Sequence, residues 1–242
     1  MNRRDVFINE EITTPVVIMA GGEGTRLHPI TKVLPKPLVP IGDIPIAERI
    51  INKFVNFGCE KFYLTINYKK NLIKAYFNDI KKNYEIEYVE EEKPLGTAGS
   101  LYLLKDKIKE TFFLNNCDIL INENYYKMLK YHKENNNKIT VIASRENYIV
   151  PYGVIKVDEK SVIKEIIEKP KYDFLVNTGM YILEPETLYD IPENEFYHII
   201  DLVKVNINKG EKVGVYPISQ ESWLDMGQIE EMENMFKGLG IT

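Results

Sequence analysis

The sequence predicts an α/β fold: a single domain built on a mostly parallel, mixed sheet with helices on both faces. Three observations carry this. Short β-rich apolar runs alternate with segments of helical period through the first half of the chain. Alternation of that kind builds βαβ units, whose right-handed crossovers set the strands parallel and put helices on the sheet. A length of 242 residues with 44% hydrophobic and 28% charged residues also suits one sizeable packed core.

Along the chain, VVIMA (16–20) reads as a strand. PIAERIINKFVNF follows with Ile46, Ile50 and Phe54 beside Ala47, Ile51 and Val55, a stripe at spacing four that packs on a sheet. KFYLTI is then a strand, NLIKAYFNDI a helix, IEYV a strand, SLYLLKDKI helical, TFFLNN a strand and YYKMLKYHKE a helix. After Lys138 the pattern changes. ITVIAS, YGVIKV, VIKEIIEK and TGMYIL follow one another with short connections, the pattern of added hairpins or a mixed extension of the sheet; helical period returns at YHIIDLVKVNINKG. Residues 1–14 have no sustained period and read as a polar leader or linker, leaving 15–242 as the folded domain. No repeat or low-complexity tract interrupts it.

Charge and composition exclude several classes of function. With 31 basic and 36 acidic residues the net charge is −5, so no overall basic field attracts nucleic acid or an acidic membrane, and any bound anion must be held by local groups. No apolar run approaches the roughly 18 residues of a membrane span, and the N-terminus lacks a signal-like apolar region, so the expected location is cytoplasmic. Cys59 and Cys117 lie far apart inside or beside apolar runs and read as buried thiols; His28, His132 and His198 lack metal-ligand spacing.

The run MAGGEGTRLHPITKVLPKPLVP, directly after the first strand, is the most informative stretch. Glycines after a strand leave backbone N–H groups unobstructed, and such groups bind phosphate oxygens. Arg26 and Lys36 flank the loop, and prolines 29, 35, 37 and 40 stiffen the segment that carries them. A dinucleotide fingerprint would need glycine where Leu27 stands, and no Gly-Lys-Ser/Thr occurs, so neither familiar phosphate motif applies.

The block GGEGTRLHPITKVLPKPLVPIGDIP resembles the signature of the sugar-1-phosphate nucleotidylyltransferases, GGxGTRLxPxTxxxPKPLxP. EKPLGTAGS (92–100), NNCDIL (115–120), YGVI (152–155), EKP (168–170), NTGMYIL (177–183) and WLDMG (223–227) follow in the family's order, so the resemblance covers about residues 15 to 236. It implies a Rossmann-like nucleotide-diphospho-sugar transferase fold, and a nucleoside triphosphate and a sugar 1-phosphate as substrates. Ala20, Gly21, Gly22, Gly24, Thr25 and Arg26 are then expected around the triphosphate, with Arg26 and Lys36 neutralising its charge. Leu95, Gly96, Thr97 and Gly99 would approach the base; the bland reading of this turn is a helix start capped by Thr97. PLGTAG is similar to the form in guanylyltransferases acting on mannose, heptose or hexosamine 1-phosphates, which favours GTP, while uridylyl, thymidylyl and adenylyl relatives use close variants.

Asp118 and Asp225 are implied as ligands of Mg²⁺, which takes one or two carboxylates along with substrate phosphates and water. Cys117 departs from the Gly-Asp of many relatives but leaves the aspartate in place. Tyr152, Gly153, Glu168, Lys169, Asn177 and Thr178 are implied on the sugar-phosphate side, Lys169 as a third catalytic cation. The resemblance further implies in-line attack of the sugar-phosphate oxygen on the α-phosphorus. The competing reading is a catalytically silent sugar-nucleotide sensor of the same fold, although such proteins commonly lose the arginine, lysine or carboxylates present here. The sugar and any homo-oligomer are left open by the sequence.

Overall fold

The computed structural model describes residues 12–227 and residue 239. In chain order the elements are β1 (Val16–Ala20), β2 (Pro40–Ile41), β3 (Ile44–Pro45), α1 (Ile46–Val55), β4 (Lys61–Ile66), α2 (Lys70–Asp79), β5 (Glu85–Glu90), β6 (Phe112–Asn116), β7 (Ile119–Ile121), α3 (Tyr125–Glu134), β8 (Ile139–Ile149), β9 (Val154–Val157), β10 (Ile163–Ile167), β11 (Lys171–Leu183), α4 (Ile199–Asn208), β12 (Val213–Ile218) and β13 (Trp223–Asp225). Seven strands form the main sheet in the order β12-β8-β11-β6-β1-β4-β5. β1 is parallel to both β4 and β6, β5 is parallel to β4, and β11 runs antiparallel to β6 and β8, so the expected mostly parallel, mixed sheet is present.

Period-two alternation divides the sheet's side chains between two cores. Val16, Ile18 and Ala20 of β1, with Phe62, Leu64 and Ile66 of β4, meet Ile46, Ile50, Ile51 and Phe54 of α1, Ile73 and Phe77 of α2, and Met128 of α3. Val17, Tyr63, Phe112 and Leu114 point the other way, onto Leu101 and Leu104 and onto Ile199 and Leu202 of α4. The stripe read in α1 is this packing face: Ile46, Ala47, Ile50, Ile51 and Phe54 are each 0% exposed. Burial at roughly 1.5–3 kcal/mol for each large apolar side chain holds the helix down. Truncating Phe54, which also meets the rings of Phe113 and Tyr125, would cost about 3–5 kcal/mol.

The leader expected over residues 1–14 is packed at its end. Ile12 and Thr14 are buried and Ile12 N–H donates to Phe57 C=O, because the chain enters β1 across the end of α1. Residues 1–11 lie outside the described residues. SLYLLKDKI forms 3-10 turns over Gly99–Leu104 instead of a regular helix.

The order of the strands fixes where a ligand can sit. From β1 the chain crosses to β4 and β5 on one side, then returns past β1 to β6 on the other. The C-terminal ends of β1 and β6 therefore flank a topological switch point, where open α/β sheets have a crevice.

Candidate active site

The loop after β1 and the Asn116-Cys117-Asp118 segment after β6 both emerge at this crevice. Between them lies a cavity of about 400 Å³, lined by Gly21, Gly22, Gly24, Thr25, Arg26, Lys36, Leu95, Gly96, Thr97 and Asp118 among others. Thus the loop, both of its cations, most of the LGTAG turn and one of the two aspartates share one space. Leu27 N–H donates to Gly24 C=O and His28 N–H to Thr25 C=O, closing the 3-10 turn at the end of the loop.

Local packing gives the loop its shape. Gly24 sits at φ 65°, where a Cβ would come within 3.1 Å of both Lys36 Cβ and Thr31 Cγ2. Thr31 Oγ1 donates to Gly24 C=O at 2.8 Å, and Tyr68 Oη donates to Thr31 C=O at 3.1 Å. Gly22 is different, since an added Cβ there would meet nothing within 4 Å. The chain's own packing does not require glycine at 22; an entering anion would.

Lys36, held in a 3-10 turn between prolines, is 9% exposed and forms an ion pair with Asp118, itself 7% exposed. A buried pair of this kind is sensitive to the loss of either partner. β13 pairs antiparallel with β7, placing Asp225 opposite Ile119, and Met226 N–H donates to Asp118 C=O at 2.9 Å. Residues 107 positions apart in the chain are thereby neighbours. Asp225 accepts Gly227 N–H on its Oδ1 at 2.6 Å. Asp118 lines the cavity and Asp225 stands on the adjoining segment outside its lining; two carboxylates on adjoining segments are the hard oxygen donors Mg²⁺ takes when substrate oxygens and water complete its shell. The residues fit the ion.

The LGTAG turn is bolted to the segment before α4. Leu95 C=O accepts Tyr197 N–H, while Ala98 and Gly99 N–H both donate to Tyr197 C=O. Thr97 Oγ1 accepts Ile199 N–H at 3.1 Å, so this threonine caps α4, about a hundred residues away, and not a helix of its own turn. A Cβ at Gly99 would lie 2.4 Å from Glu195 C=O oxygen, so Gly99 serves this close packing; it does not line the cavity. Ala20 is likewise buried beneath the loop at the end of β1.

The residues expected on the sugar side lie elsewhere. Gly153 and Glu168 face each other, with a Cβ at 153 lying 3.1 Å from Glu168 Oε2. Tyr152 is 75% exposed, and Glu168 and Lys169 are exposed on the arm formed by β9, β10 and the outer parts of β8 and β11. Asn177 donates to Tyr181 Oη at 2.6 Å and accepts Gly179 N–H; Thr178 is buried and donates to Ile142 C=O. None of these six lines the cavity beside the glycine loop.

A family model described as nucleotidyl transferase matches residues 15–240. The chain belongs to the nucleotidyl transferase family. Among curated relatives of this chain, the bifunctional protein GlmU of Methanococcus maripaludis strain C7 is 37% identical over 182 residues, covering 74% of this chain and 42% of that protein. The mannose-1-phosphate guanyltransferase of Saccharomyces cerevisiae is 32% identical over 233 residues, covering 88% of this chain and 61% of that one. The chain therefore spans about half the length of these relatives. HddC from Yersinia pseudotuberculosis shares the fold at a TM-score of 0.73 and 23% identity, over 93% of this chain and 99% of that one. A crystal structure of the same protein complexed with GMP-PN aligns at 0.70 and 22%.

The chain also has cavity residues that the sequence hid. Glu91 follows β5, is 5% exposed and lines the cavity, with Oε1 only 2.6 Å from where a Cβ on Gly21 would stand. Burial pushes its carboxyl above the ordinary range, against hydrogen bonds from Leu95 N–H and the Ser100 hydroxyl. Phe196 is 62% exposed at the rim, edge-on to His198 with centroids 4.8 Å apart. Cys117 also lines the cavity; burial, with the charge of Asp118, pushes its thiol up to about 12, so it stays protonated at neutral pH.

Proposed function

We propose that this protein joins a nucleoside triphosphate, with GTP favoured, to a sugar 1-phosphate, giving a nucleotide sugar and pyrophosphate. The observation that carries the reading is the single cavity at the switch point, which brings the Gly21–Arg26 loop, Lys36, Asp118 and the Leu95–Thr97 turn together. A triphosphate is the ligand such a set suits: backbone N–H groups and two cations on one side, a flat slot bounded by small residues on the other. Residues 15–242 are taken as the nucleotidyltransferase domain, and the cytoplasm is the location proposed for the reaction. No helix among the described residues is long and apolar enough to cross a membrane. The yeast relative's name, mannose-1-phosphate guanyltransferase, supports the same chemistry.

Glu91 supports the choice of base. An ionised carboxylate only accepts hydrogen bonds. Guanine offers two adjacent donors on its Watson–Crick edge, N1–H and the 2-amino group, and so meets a carboxylate in bidentate fashion. Uracil and thymine offer one N–H between two acceptors, and adenine an amino group beside an acceptor nitrogen. Glu91 lies in the cavity wall between Gly21 and Leu95, and its ionised carboxylate would favour guanine there.

In the reaction the sugar-phosphate oxygen, already ionised at neutral pH, attacks the α-phosphorus while the bond to pyrophosphate breaks and its electron pair leaves with that group. The protein's part is positioning and charge neutralisation. Arg26 offers its planar fork to the phosphate oxygens, and Lys36 supplies a second cation from its rigid turn. Lys169 serves the sugar phosphate from the arm. Asp118 and Asp225 would hold Mg²⁺, which would supply further neutralisation of the phosphates when bound. The test is a matrix of four nucleoside triphosphates against a panel of sugar 1-phosphates with Mg²⁺, scored by pyrophosphate. Release requiring both substrates and fastest with GTP supports the reading; no release with any pair overturns it.

A further inference from the structure

Phe196 is 62% exposed, packs into neither apolar core, and among the described residues is the one aromatic side chain that lines the switch-point cavity. A phenyl ring left in water adds little to folding. Its position is nevertheless closely specified. Tyr197, the next residue, donates its N–H to Leu95 C=O and accepts Ala98 and Gly99 N–H on its own C=O. A Cβ at Gly96 would stand 2.6 Å from the Tyr197 carbonyl oxygen, and one at Gly99 would stand 2.4 Å from that of Glu195, so glycine at both positions lets the two segments run this close. Beyond Tyr197, the His198 ring meets that of Phe196 at 4.8 Å and 86°, with its Nδ1 3.4 Å from Thr97 Oγ1. The Phe196 ring is thus braced at the cavity rim beside the Leu95–Thr97 turn.

We infer that Phe196 is the aromatic platform on which the nucleobase of the bound nucleoside triphosphate stacks, a role that rests on the function proposed above. Burial is the first reason. The ring gains nothing from the chain's own packing, and a base laid against it takes two apolar faces out of water at once. Chemistry is the second. Arg26, Lys36 and the glycine-loop amides suit phosphates and Glu91 suits a base edge, which leaves Phe196 as the flat π-surface in the lining. Preorganisation is the third, since the hydrogen bonds through Tyr197 fix the backbone beside the ring before a ligand enters, and little ordering is left to oppose binding. Every base has a π-face, so Phe196 supplies affinity for the base as such, and the choice among bases is left to groups that meet its edge.

Titration calorimetry on the whole protein with GTP and, separately, with inorganic triphosphate, each with Mg²⁺, tests this. Phe196→Ala should raise the dissociation constant for GTP about 5–150-fold, the range of one lost base–aromatic stack, and leave that for inorganic triphosphate unchanged. Phe196→Tyr keeps a ring and should bind GTP as wild type does, whereas Phe196→Leu, apolar but without a π-face, should not. The side chain is exposed and outside both cores, so all three variants should melt with wild type. GTP bound equally by wild type and Phe196→Ala, triphosphate binding weakened as much as GTP binding, or leucine serving as well as tyrosine overturns the role given to Phe196. Any of these leaves the proposed function standing where the wild type releases pyrophosphate from GTP and a sugar 1-phosphate; a wild type that neither binds GTP nor releases pyrophosphate overturns both.

Discussion

Replacing Glu91 by glutamine preserves volume and removes a carboxyl group from the cavity wall. Folding disfavours the ionised form here, because Glu91 is 5% exposed and its carboxyl is raised above the ordinary 4.5, chiefly by burial. The sign follows from linkage: a carboxyl raised in the fold gives its full stability below the unfolded value and loses it as pH rises through the folded value. Glutamine escapes that loss. Glu91→Gln should therefore unfold at the same or a higher temperature than wild type near neutral pH, with the difference closing in acid. Binding should move in the opposite sense. One of two accepting oxygens becomes a donor facing a guanine donor, and a lost bidentate pairing of ~1–3 kcal/mol corresponds to about 5–150-fold in the KM for GTP. A side chain with one donor and one acceptor also suits uracil, so the GTP-to-UTP ratio of kcat/KM should fall. Steady-state kinetics with both nucleotides, beside a thermal melt, reads all three effects. An unchanged KM for GTP with an unchanged ratio, or a melting point well below wild type, would refute the reasoning.

Arg26→Ala should reduce kcat by about 10²–10³ in a pyrophosphate assay while circular dichroism stays native, since the arginine is an exposed cavity residue. Asp118→Asn should lose activity to a similar extent and also melt lower. It leaves Lys36 buried without its ion-pair partner, a change worth ~3–5 kcal/mol in comparable buried pairs. Gly22→Ala should keep wild-type stability but weaken nucleotide binding in titration calorimetry, whereas Gly24→Ala, strained at φ 65°, should lower both. Far from the cavity, His132 and Thr111 hydrogen bonds hold Glu184 below its ordinary value, His132 first. That stability is present above the unfolded carboxylate value and is lost as pH falls through the folded one. Glu184→Gln should accordingly flatten the acid limb of a plot of melting temperature against pH.

Much of this architecture could be read from residue patterns. α1 and α3 were legible because one face of each is buried, so apolar period and burial coincide, and β1 because both of its faces are buried, which leaves a continuous apolar run. The long outer runs of β8 and β11 were less so: the arm is exposed on both sides, and its apolar residues follow contacts within the arm and not a buried core face. β7 and β13 are three residues each, too short for any period, yet their pairing is what makes Asp118 and Asp225 neighbours. The glycine loop and its cations announced themselves by composition. Glu91 was hidden in the acidic run Glu90–Glu92, where only the middle residue is buried, and Phe196 stood in a polar connection whose docking onto the Leu95–Gly99 turn no local pattern encodes.

The most direct measurement sets wild type and Asp118→Asn side by side with GTP, Mg²⁺ and the best sugar 1-phosphate of the panel, recording the initial rate of pyrophosphate formation. A wild-type rate that needs both substrates, at least about a hundredfold above that of the folded variant, is the outcome the switch-point cavity predicts. Equal rates, or pyrophosphate formed without the sugar phosphate, would contradict it.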